Sequence, residues 1–378
     1  MERSLHSGLC RCMLSSANTS SFRSSVSAFT LESVPYAPHP RKPGKALGEL
    51  SLIDRIRARA SSSPAIRLGI GDDCAILKPP PNHDLLVTTD FSLEGRHFRR
   101  DWHTAASAGH RTLARGLSDL AAMGATPLAA FLSLALPKSA ARNTLWLDGF
   151  LDGLLALAAT HNVPLAGGDT SESPSDHILA DIVLTGSAPS GRALRRSGAF
   201  SGNQAHPGDL LYVTGALGGA AAELAALATS PRKFRNVTST EDHPHLFPQP
   251  RLAVGQTLLR RRLATACIDL SDGLSTDLAH LCTASNVAAE LDLAQLPLHP
   301  LAAALDERAQ ITALLHGGED YELLFTASPT TKIPRSIANV PITRIGRILK
   351  PQKNKPQMSL IADGEGFDLQ PHGWEHLT

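Results

Sequence analysis

The sequence predicts a two-domain protein of mixed α/β class, on three observations. The chain has 378 residues, 42% of them hydrophobic and 19% charged, which is enough apolar material for two ordinary cores in a globular chain. Runs rich in β-branched and aliphatic residues alternate with stretches of helical spacing along most of its length. A Gly, Pro and Ser joint, Gly186 to Gly191, interrupts that alternation near the middle and marks the expected boundary.

In chain order, residues 1–46 hold ten Ser and six Lys or Arg but only two acids, Glu2 and Glu32, and run into a Pro-rich stretch. Such a composition cannot bury a core, so a disordered N-terminal extension, or a start codon assigned too far upstream, is expected ahead of a transit peptide, which its Arg- and Ser-rich, acid-poor character also suits. From Gly48 the spacing of Leu50, Leu52, Ile53 and Ile56 predicts a short amphipathic helix. Strands are predicted at Leu85–Thr89, Phe131–Leu136, Ile178–Thr185, Leu210–Thr214, Glu322–Thr326 and Ile342–Ile348. Apolar stripes at Leu113, Leu117 and Leu120, and at Leu274, Leu278 and Leu281, predict two helices. The expected domains are 47–188 and 189–378, with the polar stretch Thr229 to Pro250 as a mobile insertion.

Composition excludes several functions. Lys plus Arg number 36 against 35 Asp plus Glu, and aromatic residues are 4%, so neither the basic surplus nor the stacking surface of a nucleic-acid binder is present. No nucleic-acid partner is expected. Apolar runs such as Leu151 to Ala159 end well short of the roughly 20 residues of a membrane span, so no membrane association is expected. Cys10, Cys12, Cys74, Cys267 and Cys282 form no CxxC pair and read as reduced thiols of a cytoplasmic protein; Cys74 and Cys267, inside apolar runs, are expected in the core.

Aspartates carry the chemistry. They occur at Gly71-Asp72-Asp73, Thr88-Thr89-Asp90, Leu117-Ser118-Asp119, Gly167-Gly168-Asp169, Asp269-Leu270-Ser271-Asp272-Gly273 and Gly317-Gly318-Glu319-Asp320. A short acid at a strand end beside glycine aims a hard oxygen into the crevice where α/β folds bind ligands, a pattern suited to magnesium. Any single Asp-Gly or Gly-Asp pair is an ordinary turn. Six groups brought together would repel one another unless cations lay among them. There is no Walker loop, no GxGxxG after a strand, no protein-kinase HRD or DFG, no HExxH and no GxSxG. The turn Thr214 to Gly219 leads from a strand into a helix, and its backbone N–H groups could receive an anion, although a plain strand-to-helix turn is the more frequent explanation.

Taken in order, GIGDDCAIL (69 to 77), TTDFSLEGRHF (88 to 98), LSDLAAMGA (117 to 125), GGDT (167 to 170), GRALRRSGA (191 to 199), IDLSDGLSTDL (268 to 278), GGEDYELLF (317 to 325) and GWEHL (373 to 377) closely resemble the thiamine-monophosphate kinase family, over about residues 47 to 378. The resemblance implies the aminoimidazole-ribonucleotide-synthetase-like fold, with an N-terminal α+β domain whose sheet pairs with its twin in a homodimer and a C-terminal α/β domain closing over ATP. It implies transfer of the γ-phosphate of ATP to thiamine monophosphate, giving thiamine diphosphate, with several Mg²⁺ ions. Asp73, Thr88, Thr89, Asp90, Asp119, Asp169, Asp269 and Asp272 would then hold the metal, with Asp72 supporting from outside the direct ligands. Gly168, Asp169, Arg196 and Ser271 would hold ATP, and His97, Glu319 and Trp374 the thiamine phosphate. No residue is expected as a general base. Three departures stand out: Gly116 where the family usually has a polar residue, Leu377 in place of a terminal Phe, and the leader itself. Related enzymes fit less well, because the chain lacks the C-terminal cysteine of hydrogenase-maturation proteins and the Cys and Lys loop of selenophosphate synthetases.

Overall fold

A computed structural model of the protein describes residues 48–197, 204–239 and 242–374. The expected disordered extension, 1–46, and Leu377 lie outside the described residues. The N-terminal half begins with α1 (Glu49–Arg57), at the place its apolar spacing predicts, and a small antiparallel ribbon of β1 (Ile66–Leu68) and β2 (Ile76–Leu77). There follow β3 (His83–Leu93), α2 (Ala105–Ala122), β4 (Thr126–Leu136), α3 (Lys138–Arg142), α4 (Thr144–Thr160), β5 (Leu165–Glu172) and β6 (Leu179–Pro189). The four long strands form one sheet in the order β3-β6-β4-β5, in which only β4 and β5 run parallel.

Strand alternation gives β3 two unlike faces. Thr88 and Asp90 face α2, where the Thr88 hydroxyl donates to Asp119. Leu85, Val87 and Phe91 point the other way and are 50%, 63% and 62% exposed. Helix α2 starts where the Thr104 side chain accepts a hydrogen bond from the Ser107 amide, 3.1 Å, and its stripe of Leu113, Leu117 and Leu120 is buried as predicted. It crosses α4 closely: a Cβ on Gly109 would lie 1.8 Å from the Phe150 carbonyl, and one on Gly153 would lie 1.9 Å from that of Ala106. Only glycines permit that approach.

The C-terminal half comprises β7 (Leu210–Thr214), α5 (Gly219–Thr229), α6 (Leu252–Arg260), β8 (Ala266–Asp269), α7 (Leu274–Ser285), β9 (Ala288–Asp292), α8 (Pro300–Ala303), α9 (Glu307–His316), β10 (Leu323–Ala327), β11 (Ser336–Ile337), β12 (Val340–Leu349), β13 (Met358–Ala362) and β14 (Glu365–Asp368). Its sheet has the order β14-β13-β9-β12-β7-β10-β8, with β11 on β12, and is antiparallel at every pairing except β9 with β13. The mixed α/β organisation in two parts agrees with expectation. One apolar core joins the two sheets, since Leu113, Leu117 and Leu184 belong to the same cluster as Leu258, Leu323 and Phe325.

Two expectations are corrected. The stretch read as a mobile insertion is built into the body from His243 onward: His245, Leu246 and Phe247 are buried, and the buried Glu223 carboxylate accepts from the His245 and Leu246 amides at 2.8 and 3.1 Å. Its polar residues serve a buried hydrogen-bond network, a destination that composition does not reveal. Cys267 is buried as expected, whereas Cys74 is exposed on the loop between β1 and β2, because a ribbon of two short strands offers no interior. No described helix is long and apolar enough to cross a membrane.

Candidate active site

A cavity of about 480 Å³ opens where α2 and the end of β3 meet the loops of the C-terminal half. Asp90, Asp119, Asp269, Ser271 and Asp272 line it, together with His97, Arg115, Glu319, Tyr321 and Trp374. Eight of the residues named from the resemblance therefore meet in one space, drawn from segments up to nearly the whole described chain apart.

The acids come from different elements. Asp90 lies inside β3, Asp119 inside α2 and Asp269 at the end of β8, so only the last follows the expected strand-end placement. Ser118 donates to Asp269 Oδ2 at 2.6 Å, and Thr88 donates to Asp119. Burial pushes Asp90 up to about 7, helped by the charges of Asp119 and Asp269 and opposed by Arg115. Asp269 is pushed up to about 6, by burial first and by Asp119 second. Carboxylates held together against their own repulsion are a site short of positive charge. Among the described residues no three His, Cys, Asp or Glu side chains form a preassembled metal cage. Magnesium fits that donor set, because it takes one or two carboxylates and completes its octahedron with water and substrate phosphates.

Glu319 anchors the other end. Its backbone has φ +69° and that of Tyr321 φ +51°, a conformation side chains other than glycine avoid, held here by bonds from the Glu319 amide to the Ser271 carbonyl (2.8 Å) and from the Tyr321 amide to Leu270 (2.9 Å). The carboxylate receives Arg111 Nη2 at 2.6 Å and His245 Nδ1 at 3.1 Å, with Arg115 Nη1 at 3.5 Å. Burial alone would raise its pKa, but Arg111, His245 and Arg115 hold it well below the usual carboxylate range. The hydrogen bonds assign the histidine tautomers. The Arg99 amide donates to His103 Nδ1 at 3.1 Å, so His103 Nε2–H donates to His245 Nε2 at 3.1 Å, and His245 Nδ1–H is left to donate to Glu319. Desolvation pushes both rings below the ordinary 6.5.

His97 and Trp374 complete the lining. The His97 ring accepts from the Leu93 amide at 2.9 Å, and its carbonyl accepts from Arg111 Nη2 at 3.1 Å. Trp374 is 51% exposed, and its amide donates to the Asp272 carbonyl at 3.0 Å. The preceding Gly373 rests on that same carbonyl, where a Cβ would intrude to 2.0 Å.

Other expected residues lie elsewhere. Asp73 is exposed on the loop after β1, its amide bonded to Asp72 Oδ1 at 2.8 Å. Thr89 and Asp169 point from the sheet face opposite Asp90, and Thr89 donates to Asp181 Oδ1 at 2.8 Å. Gly168 has φ +144° and backs onto the Leu132 carbonyl. Arg196 is exposed on the linker, its carbonyl accepting from Ser285 at 2.6 Å and its charge favouring the ionised form of Asp269. The turn at Gly218 does receive an anion, but one from the chain itself: Asp320 accepts from the Gly218 and Ala220 amides at 2.7 and 3.1 Å, so it faces away from the cavity. Gly116 packs against Leu184 and Thr88. Sequence reasoning missed Arg111 and His245, which hold Glu319, and Arg115 and Tyr321, which line the cavity. Spacing carried a signal for the arginines, since residues 111, 115 and 119 share a helix face, but His245 left none.

The sequence profile for the AIR synthase related protein N-terminal domain matches residues 71–188, and that for the C-terminal domain matches residues 206–354. The chain is 40% identical to the Escherichia coli thiamine-monophosphate kinase over 344 residues, 88% of this chain and 99% of that protein. It superposes on the crystal structure of the Stenotrophomonas maltophilia thiamine-monophosphate kinase with a TM-score of 0.71 at 38% identity, covering 84% of this chain and 98% of the other. A third relative, the structure of "AaThiL complexed with AMPPCP and TMP", gives a TM-score of 0.65 at 28% identity over 90% of this chain and all of that one. Identity that extends over nearly the full length of these relatives, with the cavity acids in place, makes the chain a member of the thiamine-monophosphate kinase family.

Proposed function

We propose that the protein transfers the γ-phosphate of ATP directly to the phosphate of thiamine monophosphate, giving thiamine diphosphate and ADP, the final step of thiamine diphosphate biosynthesis. The observation that carries this reading is the polarity of one cavity: hard carboxylates at Asp90, Asp119, Asp269 and Asp272, and at the other end Glu319 and Trp374, a carboxylate and an aromatic face suited to a cationic thiazolium. Glu319 binds through charge, being kept ionised by Arg111 and His245. His97 borders the same end, and Ser271, with Gly168, Asp169 and Arg196, belongs to the ATP side of the reading.

No side chain has to remove a proton. The acceptor is a phosphate with a second pKa of about 6, so at neutral pH it already presents an anionic oxygen. Asp90, Asp119, Asp269 and Asp272, with Thr88, would hold Mg²⁺ in the cavity, and Asp73, Thr89 and Asp169 would hold further ions. When bound there, Mg²⁺ would supply the positive charge that offsets the repulsion between the two phosphate groups. The residues orient donor and acceptor for one in-line displacement.

The protein acts in this reading as a cytoplasmic homodimer with domains 47–188 and 189–378. The exposed stripe of Leu85, Val87 and Phe91 on an edge strand supports the dimer, because a second copy would cover it. Thr89 and Asp169 point from that same face, so pairing would enclose them as well.

The test uses the full chain with Mg²⁺, ATP and a panel of thiamine, thiamine monophosphate and other monophosphates, with the products identified. Thiamine diphosphate and ADP are expected from thiamine monophosphate alone. Failure to form them, or preference for another acceptor, would overturn the assignment. With a γ-phosphate chiral in oxygen isotopes and sulfur, inversion is expected; retention would require a phosphoenzyme.

A further inference from the structure

We propose that Arg115 is a phosphate-binding residue of this site, its guanidinium receiving the phosphate of thiamine monophosphate at the junction between the carboxylates and the thiamine end of the cavity. The inference rests on the acceptor proposed above and adds how the chain recognises that acceptor's phosphate.

Position comes first. Arg115 stands on α2 one turn after Arg111 and one turn before Asp119, lines the cavity, and has a side chain 15% exposed. Its Nη2 lies 3.6 Å from Asp90 Oδ1 and its Nη1 3.5 Å from Glu319 Oε1, so it spans the gap between the aspartates and Glu319.

Bonding comes second. Both ion pairs exceed the roughly 2.7–2.9 Å of a charge-assisted bond. The single direct hydrogen bond from its terminal nitrogens goes from Nη1 to the Tyr321 hydroxyl at 3.2 Å, and its buried Nε has no partner. Arg111 Nε is likewise without a partner, but the terminal nitrogens of Arg111 give Glu319 a 2.6 Å bond and also donate to the His97 and His245 carbonyls. Glu319 thus has its close partners without Arg115, in Arg111 and His245. Arg115 is a cation retained in the cavity by surrounding charge while its fork of donors stays under-used.

Chemistry comes third. An acceptor whose cationic ring lies at Glu319 and Trp374 must send its phosphate toward the acids, past Arg115. A guanidinium matches the spacing of phosphate oxygens with two parallel N–H bonds, which an ammonium cannot do. It also brings permanent positive charge to a place where carboxylates would otherwise repel the incoming dianion.

The experiment compares thiamine with thiamine monophosphate as calorimetric ligands of the full chain without ATP, for the parent, Arg115→Met and Arg115→Lys, alongside thermal unfolding and steady-state kinetics. The parent is expected to favour the phosphorylated ligand. In Arg115→Met that preference is expected to shrink by about tenfold or more, the loss of a charged hydrogen bond, while thiamine affinity is unchanged or rises. Arg115→Lys is expected to keep part of the preference, because charge remains and the fork is lost. An equal loss for both ligands would mean that Arg115 only shapes the cavity, and an unchanged preference in either folded variant would overturn the assignment. If the parent fails to phosphorylate thiamine monophosphate, the acceptor is wrong; if it does so and the variants discriminate as before, only the role of Arg115 falls.

Discussion

Asp90 is the clearest case of a side chain placed for function against its own comfort. Buried beside Asp119 and Asp269, it is pushed up to about 7 from an ordinary 3.8, so its ionised form is disfavoured in the fold without added cations. Asp90→Asn removes one charge from that crowd at nearly constant volume. Turnover is expected to fall by at least about a thousandfold, as when a metal-binding charge is lost, while the melting temperature without Mg²⁺ stays level or rises. Activity and thermal unfolding of the same preparation check both halves, and near-normal turnover would sink the assignment. The acids were legible because Asp next to Gly, Ser or Thr repeats through the sequence. The guanidinium groups that govern them were less so, since an arginine inside an amphipathic helix reads as part of its solvated side, and only the fold shows Arg111 to be 1% exposed.

At the scale of elements, α2 carries Arg111, Arg115, Ser118 and Asp119, so its seating sets the geometry of the cavity. That seating depends on the close crossing with α4, where a Cβ on Gly109 would meet the Phe150 carbonyl at 1.8 Å. Gly109→Ala is expected to destabilise the fold by about 3 kcal/mol and to lower activity with it, because backbone must move where no side chain can yield. Urea denaturation and turnover check this together. The packed segment after His243 gives a pH dependence. His110 Nε2 donates to the Pro248 carbonyl at 2.7 Å, and burial holds its pKa at about 4 against 6.5. The unfolded chain therefore binds a proton below pH 6.5 that the native chain refuses, and this stability is complete above 6.5 and lost as pH falls toward 4. Asp90, Asp269 and Asp320 work in the opposite sense, being raised to about 7, 6 and 7. The comparison is therefore between the parent and His110→Gln: from pH 7 to pH 5 the parent is expected to lose about 2 kcal/mol relative to the variant. A difference independent of pH would show that His110 is charged in the fold. The leucine stripes of α2 and α7 and six of the strands were legible from periodicity, because each depends on neighbours in sequence. The segment 243–250 was not, because what orders it is Glu223 and Arg111, residues remote in the chain.

At the scale of the whole molecule, the sheet face bearing Leu85, Val87 and Phe91 is expected to bring two copies together. The double variant Val87→Lys, Phe91→Lys places like charges there, and sedimentation is expected to change from dimer to monomer. A parent that sediments as a monomer would remove the dimer from the reading. The apolar core shared by the two sheets and the Arg111 network have a consequence for synthesis. Arg111 and Glu319 are 208 positions apart, so α2 leaves the ribosome long before its carboxylate partner exists. A buried guanidinium without a counter-charge costs several kcal/mol, and the helix cannot dock fully on those terms. By this argument Arg111 is expected to stay hydrated until the segment that carries Glu319 is made, so a translation product stopped short of that point is expected to leave the cavity unformed and to be inactive.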